Sequence, residues 1–147
     1  MKKRGLTLCL VMMLTGCNQQ VEHLEPSTYE NKILEMDQST GITLVAEDVT
    51  ITMEEDEIVY KIRNNTDKQI GVGREYVIEK KVNGEWMQVP FKKNIGFLAD
   101  AQILFPHSEG RFTASFDVLD YNISEGEYRL IKPYGAIILY ATFNVIR

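Results

Sequence analysis

The chain has 147 residues, with 16 Lys and Arg against 21 Asp and Glu, for a net charge of -5. That balance disfavours a nucleic-acid or other polyanion partner. Two cysteines are too few for a disulfide-stapled scaffold, and the length suits one domain plus a short extension.

The first residues are expected to be a targeting segment. Lys2, Lys3 and Arg4 form a positive start, and Gly5 to Leu14 is an apolar run too short to cross a bilayer core of about 30 Å as a helix. Leu14-Thr15-Gly16-Cys17 then resembles the bacterial lipobox. That resemblance implies cleavage before Cys17, a diacylglyceryl group on its thiol, and a mature chain held on the outer face of the cell membrane. An ordinary secretory peptide is the alternative. Loss of Lys2, Lys3 and Arg4 leaves 13 basic against 21 acidic residues, a net of -8. Such a surface is repelled by anionic headgroups at long range, so the domain is expected to stand off its membrane. Cys9 lies in the removed segment, so no internal disulfide remains.

Residues 17–40 are mostly polar without a sustained period and read as a flexible linker. As a random coil its roughly 23 residues would hold the next domain about 25 Å from the lipid. Tyr29 to Met36 offers two helical turns at most, too short for a stable isolated helix. His23 is expected to be solvated.

Residues 41–147 carry short alternating runs. Val49, Ile51 and Met53 form one stripe; Ile58, Tyr60 and Ile62 a second; Phe112, Ala114, Phe116 and Val118 a third; Leu139, Ala141, Phe143 and Val145 a fourth. Period two with one polar face indicates antiparallel sheets. Asn83-Gly84 between Tyr76–Val82 and Glu85–Val89 predicts a tight hairpin, and Asn64-Asn65-Thr66-Asp67 closes another strand. About seven strands with these breaks predict an all-β, two-sheet sandwich.

Ile123-Ser124-Glu125-Gly126-Glu127-Tyr128 resembles the tyrosine corner of immunoglobulin-like sandwiches, with Ile123, Gly126 and Tyr128 as its structural residues. Together with Gly73, Tyr76-Val77-Ile78-Glu79-Lys80, Asn83-Gly84-Glu85-Trp86 and Gly126-Glu127-Tyr128-Arg129-Leu130-Ile131-Lys132, the chain resembles a bacterial Ig-like domain of the kind found in Gram-positive lipoproteins. The resemblance implies an antiparallel β-sandwich and a binding or scaffold role. Without an inter-sheet disulfide the aromatics must hold the core, and Trp86 is expected there.

Chemistry-bearing residues are sparse. His107 beside Ser108 is the only histidine in the domain, and no Gly-x-Ser-x-Gly motif occurs. Glu54-Glu55-Asp56-Glu57 supplies oxygen ligands for calcium but lacks the spacing and glycine of a calcium loop, so a solvated hairpin tip is expected. Gly71-Val72-Gly73 lacks the strand-to-helix setting of a phosphate loop. No catalytic set, metal site or cofactor is expected. Tyr134 to Tyr140 holds no charge and is expected to enter a buried strand, with an apolar patch for a partner as the alternative. The functional expectation is a non-enzymatic, lipid-anchored module for protein–protein interaction at the cell envelope. A cell-wall or carbohydrate-binding module, with peptidoglycan as ligand, and a hydrolase with dispersed carboxylates are the alternatives.

Overall fold

The computed structural model describes residues 23–35 and 40–147. Leu14, Thr15, Gly16 and Cys17, which resemble a lipobox, lie outside the described residues.

Among the described residues, eleven strands and one short helix follow in chain order: β1 (Glu25–Pro26), α1 (Glu30–Glu35), β2 (Ile42–Ala46), β3 (Thr50–Thr52), β4 (Glu57–Asn64), β5 (Ile70–Gly73), β6 (Val77–Val82), β7 (Glu85–Gln88), β8 (Ala101–Leu104), β9 (Ser108–Ser115), β10 (Gly126–Tyr134) and β11 (Ile137–Ile146). The larger sheet has the order β1-β7-β6-β10-β11-β3, the smaller β2-β4-β9, and β5-β8 form a separate ribbon. This is the expected immunoglobulin-like antiparallel β-sandwich. The strand number exceeds seven because the first strand path is split, β2 pairing with β4 and β3 running parallel to β11 in the opposite sheet, and because β1, β5 and β8 are short additions.

The core follows the period-two stripes. Ile58, Tyr60 and Ile62 of β4 and Leu139, Phe143 and Val145 of β11 are buried in one cluster with Ile78, Leu130 and Tyr128. Phe143 stacks between Phe116 and Tyr128, with centroids at 6.2 and 5.6 Å. The Val49–Met53 stripe departs from expectation: only Ile51 is buried, because β3 is three residues long and the chain leaves the sheet on either side. Glu54 to Glu57 are exposed as expected, but they cross between the two sheets rather than capping a hairpin.

Local turn chemistry sets the register. Asn83 and Gly84 both take positive φ, 51° and 85°, and join β6 to β7 in the tight hairpin. Asn64, fully buried at the end of β4, donates through its amide to the carbonyls of Lys68, Leu104 and Phe105 and accepts from Thr66 N–H, so one side chain ties three segments. At the corner before β10, the Tyr128 hydroxyl donates to Ser124 O at 2.8 Å and accepts from Ser124 N–H at 3.2 Å. Gly126 has φ 151°, and a Cβ there would lie 3.1 Å from Lys80 Cε. Ile123 packs on the core edge.

Tyr128→Phe leaves the Ser124 backbone groups without this partner and should lower stability by about 1–2 kcal/mol. Urea denaturation with an unchanged slope checks it, since a changed slope would mean an altered denatured state.

Candidate interaction surface

Strands β6 and β10 are buried on both faces, which requires a cover on the side away from the sandwich core. Ile78, Leu130 and Tyr128 face the core, whereas Val77, Glu79, Arg129 and Ile131 occupy the opposite face. The cover is residues 24–35. Glu25 and Pro26 pair with Gln88 and Met87 of β7, Ser27 N–H donates to Trp86 O at 2.9 Å, and Ile33 of α1 packs on Val77, Ile131 and Ile138. Leu24, opposite Val89 by continuation of the same register, joins the main core. This part of the expected linker is therefore packed, at about 1.5–3 kcal/mol for each fully buried aliphatic side chain.

Beneath this strap lies a buried ion pair. Arg129 and Glu79 are cross-strand partners, 3% and 0% exposed, with Arg129 Nε donating to Glu79 Oε2 at 2.6 Å. The same guanidinium reaches Glu30 of α1 at 2.7 Å and Ser27 Oγ at 3.2 Å, and lies 4.4 Å from the Trp86 ring centroid. Trp86 was expected in the core. Instead it is half-buried on the outer face, where its indole stacks on Arg129 and Lys81, because β7 is near the sheet edge and an aromatic there serves a cation better than the core.

Two lysines point inward. Lys80 Nζ donates to Tyr121 and Ser124 hydroxyls beside the tyrosine corner. Lys132 Nζ donates to Gly73 O and to Glu75 O, the latter at 2.6 Å, which fixes the entry to β6. Burial lowers the Lys132 ammonium to about 8.

Along the opposite edge of the sandwich the two sheets leave a seam between β2 and β11. Glu47 N–H donates to Val59 O and Asn65 N–H to Gly41 O, so the odd residues of β2 bond to β4. By alternation, the backbone groups of Leu44 and Ala46 face the seam. Asn144 N–H donates to Val49 O, which places the even residues of β11 on its outer edge, and Tyr140 and Thr142 precede the stretch paired with β3. A cavity of about 390 Å³ lies between, lined among others by Leu44, Val45, Val49, Ile137 and Tyr140. Val49 is 66% exposed, and Val45 and Tyr140 are also exposed. In the Tyr134–Tyr140 run, Ile138 and Leu139 are buried as expected, whereas Tyr140 flanks this seam.

The other polar groups do not converge. His107 Nε2 sits 2.8 Å from Asp67 in an exposed pair, while Ser108 Oγ donates to Phe105 O, so the three form no nucleophile relay. No cluster of three His, Cys, Asp or Glu residues able to hold a metal occurs among the described residues. Arg111 beside Glu47 and Arg74 beside Asp100 hold those carboxyls below the ordinary range, but the pairs are exposed and contribute little to stability.

The family model for the bacterial Ig-like domain matches residues 38–144, and the chain belongs to that family. No curated protein matches it in sequence. Among solved structures it is similar to the alkylpurine DNA glycosylase AlkC of Pseudomonas fluorescens bound to abasic-site DNA, at 12% identity and TM-score 0.45, over 73% of this chain and 31% of that one. It is also similar to the β-glucosidase EmGH1 of Erythrobacter marinus, at 15% and 0.45, over 72% of this chain and 15% of that one. The archaellum periplasmic stator protein complex FlaF and FlaG of Sulfolobus acidocaldarius gives 15% and 0.43, over 74% and 92%. The chain thus spans less than a third of the first two chains, and likenesses of this strength carry no statement about ligand or activity.

Arg129→Met strands Glu79 in an apolar, covered site and should cost about 3–5 kcal/mol, with much of the loss restored when Glu79→Leu is added, as a double-mutant cycle by denaturation will read. For Lys132, the folded group releases its proton near pH 8 while the unfolded one holds it to about 10.4. The unfolded state binds more protons in between, so this group makes stability rise with pH from about 8 to 10. Lys132→Met should flatten that rise; above pH 10, burial of Tyr60 and Tyr76, whose phenols are raised, works in the opposite direction.

Proposed function

We propose that the chain is an extracytoplasmic lipoprotein, held to the membrane through Cys17, whose Ig-like module binds a protein partner at the cell envelope rather than catalysing a reaction. The observation that carries this reading is the seam between β2 and β11. Among the described residues β2 and β11 are not paired to each other there, and exposed Val45, Val49 and Tyr140 flank the two strand edges, an arrangement suited to an extended segment of another protein that pairs along one of them. Backbone pairing supplies affinity in that mode, and alternate side chains supply selectivity. The lipobox resemblance and the Ig-like family support the location and the non-enzymatic role.

Crosslinking on intact cells expressing an epitope-tagged chain, followed by mass spectrometry, tests the reading. One envelope protein should be enriched with the anchored form and lost in two variants, Cys17→Ser and Thr142→Pro. The second removes an N–H that faces the seam, a substitution an edge strand tolerates, and its fold is verified by an unchanged near-ultraviolet spectrum. Enrichment of no protein, or equal enrichment with Thr142→Pro, would count against a protein partner at the seam.

A further inference from the structure

We infer that the loop following β7, residues 92–98, rests on the bilayer surface with Ile95 and Leu98 in the lipid interface, so that the module is held in one orientation with its β2/β11 seam on the edge away from the tether. The inference rests on the proposed lipid anchor at Cys17 and goes beyond it.

The first observation is the length of the leash. Because Leu24 is already locked into the core opposite Val89, only residues 18–23 separate the acylated residue from the folded module. Even fully extended, the step from Cys17 to Leu24 covers no more than about 25 Å, the contour limit rather than the coil average. A tether of that contour confines the edge that bears it to within about 25 Å of the surface, so any apolar side chain beside the attachment point is held close to the lipid.

The second observation is what lies at the point of attachment. Val89 leads at once into Pro90-Phe91-Lys92-Lys93-Asn94-Ile95-Gly96-Phe97-Leu98, a stretch with two lysines and no acid. Leu98 is 70% exposed, and Ile95 is exposed as well. The loop is mounted rigidly: Phe97 packs edge-on against Tyr76 at 5.1 Å and Phe91 at 5.6 Å, and Lys92 N–H donates to Val118 O. Two aliphatic side chains are thus held out to solvent on a preformed platform, so their insertion into an interface orders little that is not already ordered.

The third is charge. The mature chain's net of -8 opposes approach to an anionic surface, yet Asp100, the next acid after this loop, is held by Arg74, and Lys93 lies within the loop itself. Lys92 donates to Asp117 O and is partly committed. Apolar contact therefore drives docking. The tether makes weak contact sufficient, because a short linker raises the local concentration to the millimolar range.

Strand order gives the consequence. β1 and β7 form one edge of the larger sheet, whereas β11 and β3 form the other. A module seated on the β1/β7 edge directs its seam away from the lipid.

The test uses the mature acylated chain reconstituted into phosphatidylcholine vesicles, with and without phosphatidylglycerol. Cys17 is blocked by its lipid and Cys9 is gone with the leader, so Leu98→Cys or Thr142→Cys supplies a single thiol for an environment-sensitive fluorophore. Quenching by lipid-borne nitroxide should be at least about threefold stronger at position 98 than at 142, the expectation for a side chain within the headgroup boundary. Equal quenching at the two positions, with the chain floating alongside its vesicles, would overturn the docking while leaving the anchor intact. Failure to float would remove the anchor itself and the docking with it. A label at 98 that stays in water on vesicles yet crosslinks to a protein on cells would reassign the loop to a protein partner and overturn the inference.

Discussion

The Arg129 guanidinium is the constraint around which the molecule is arranged. An acid and a base opposite one another on central strands, Glu79 on β6 and Arg129 on β10, are ordinary on a solvated sheet face. Here that face is covered, and both charges are nearly without exposure. Such a pair is costly to desolvate, and the attraction between its members repays the cost only when the geometry and the surrounding hydrogen bonds are good. Ser27, Glu30 and the face of Trp86 supply those contacts, and two of the three belong to the N-terminal strap. The pair and the strap are therefore interdependent: removing the strap exposes the apolar patch of Val77, Ile131 and Ile138, and removing Arg129 leaves the strap's carboxylate and Glu79 unopposed.

This arrangement makes the two edges of the larger sheet different in kind. At the β7 edge, β1 adds a last short strand, α1 folds over the face and the chain enters. At the other edge, β3 covers only the final residues of β11, so Tyr140 and Thr142 have their outer backbone groups beside β2 without pairing to it. Open sheet edges invite further strands, and proteins usually blunt or cover them. One edge is blunted by the chain's own N-terminal segment and the other is left with exposed apolar side chains, which supports attachment at the first and recognition at the second.

Much of the sandwich was legible in the sequence because period-two burial is a direct consequence of a sheet with one wet face. Ile58, Tyr60 and Ile62, the Asn83-Gly84 hairpin and the glycine-tyrosine pair at 126 and 128 follow from that logic and from backbone preferences alone. The strap was not legible by the same route. Leu24 and Ile33 belong to a polar stretch whose few apolar residues keep no sustained period, and helices of six residues gain nothing by themselves in water. The available signal lay elsewhere: Val77-Ile78 and Leu130-Ile131 place apolar residues on both faces of two strands, which implies a cover that the domain's remaining strands do not provide. Arg129, Glu79, Lys80 and Lys132 were hidden for the complementary reason, since alternation assigns charged residues to water, and a charge buried by its partners has no local sequence signature. Trp86 is the counterpart among aromatics: hydrophobicity points it to the core, whereas its partner is a cation on the opposite face.

Residues 24–35 are part of the folded module and set where the chain leaves it. Amide hydrogen exchange tests this most directly, at Ser27, whose N–H bonds Trp86 O, and at Ile33, whose N–H bonds Tyr29 O. Both amides should exchange much more slowly than in an unstructured peptide, with the Ser27 amide losing its protection in Arg129→Met under conditions where the β4 amides keep theirs. Exchange of both amides at the unstructured rate in the unaltered chain would contradict it and restore the segment to the role of a free linker.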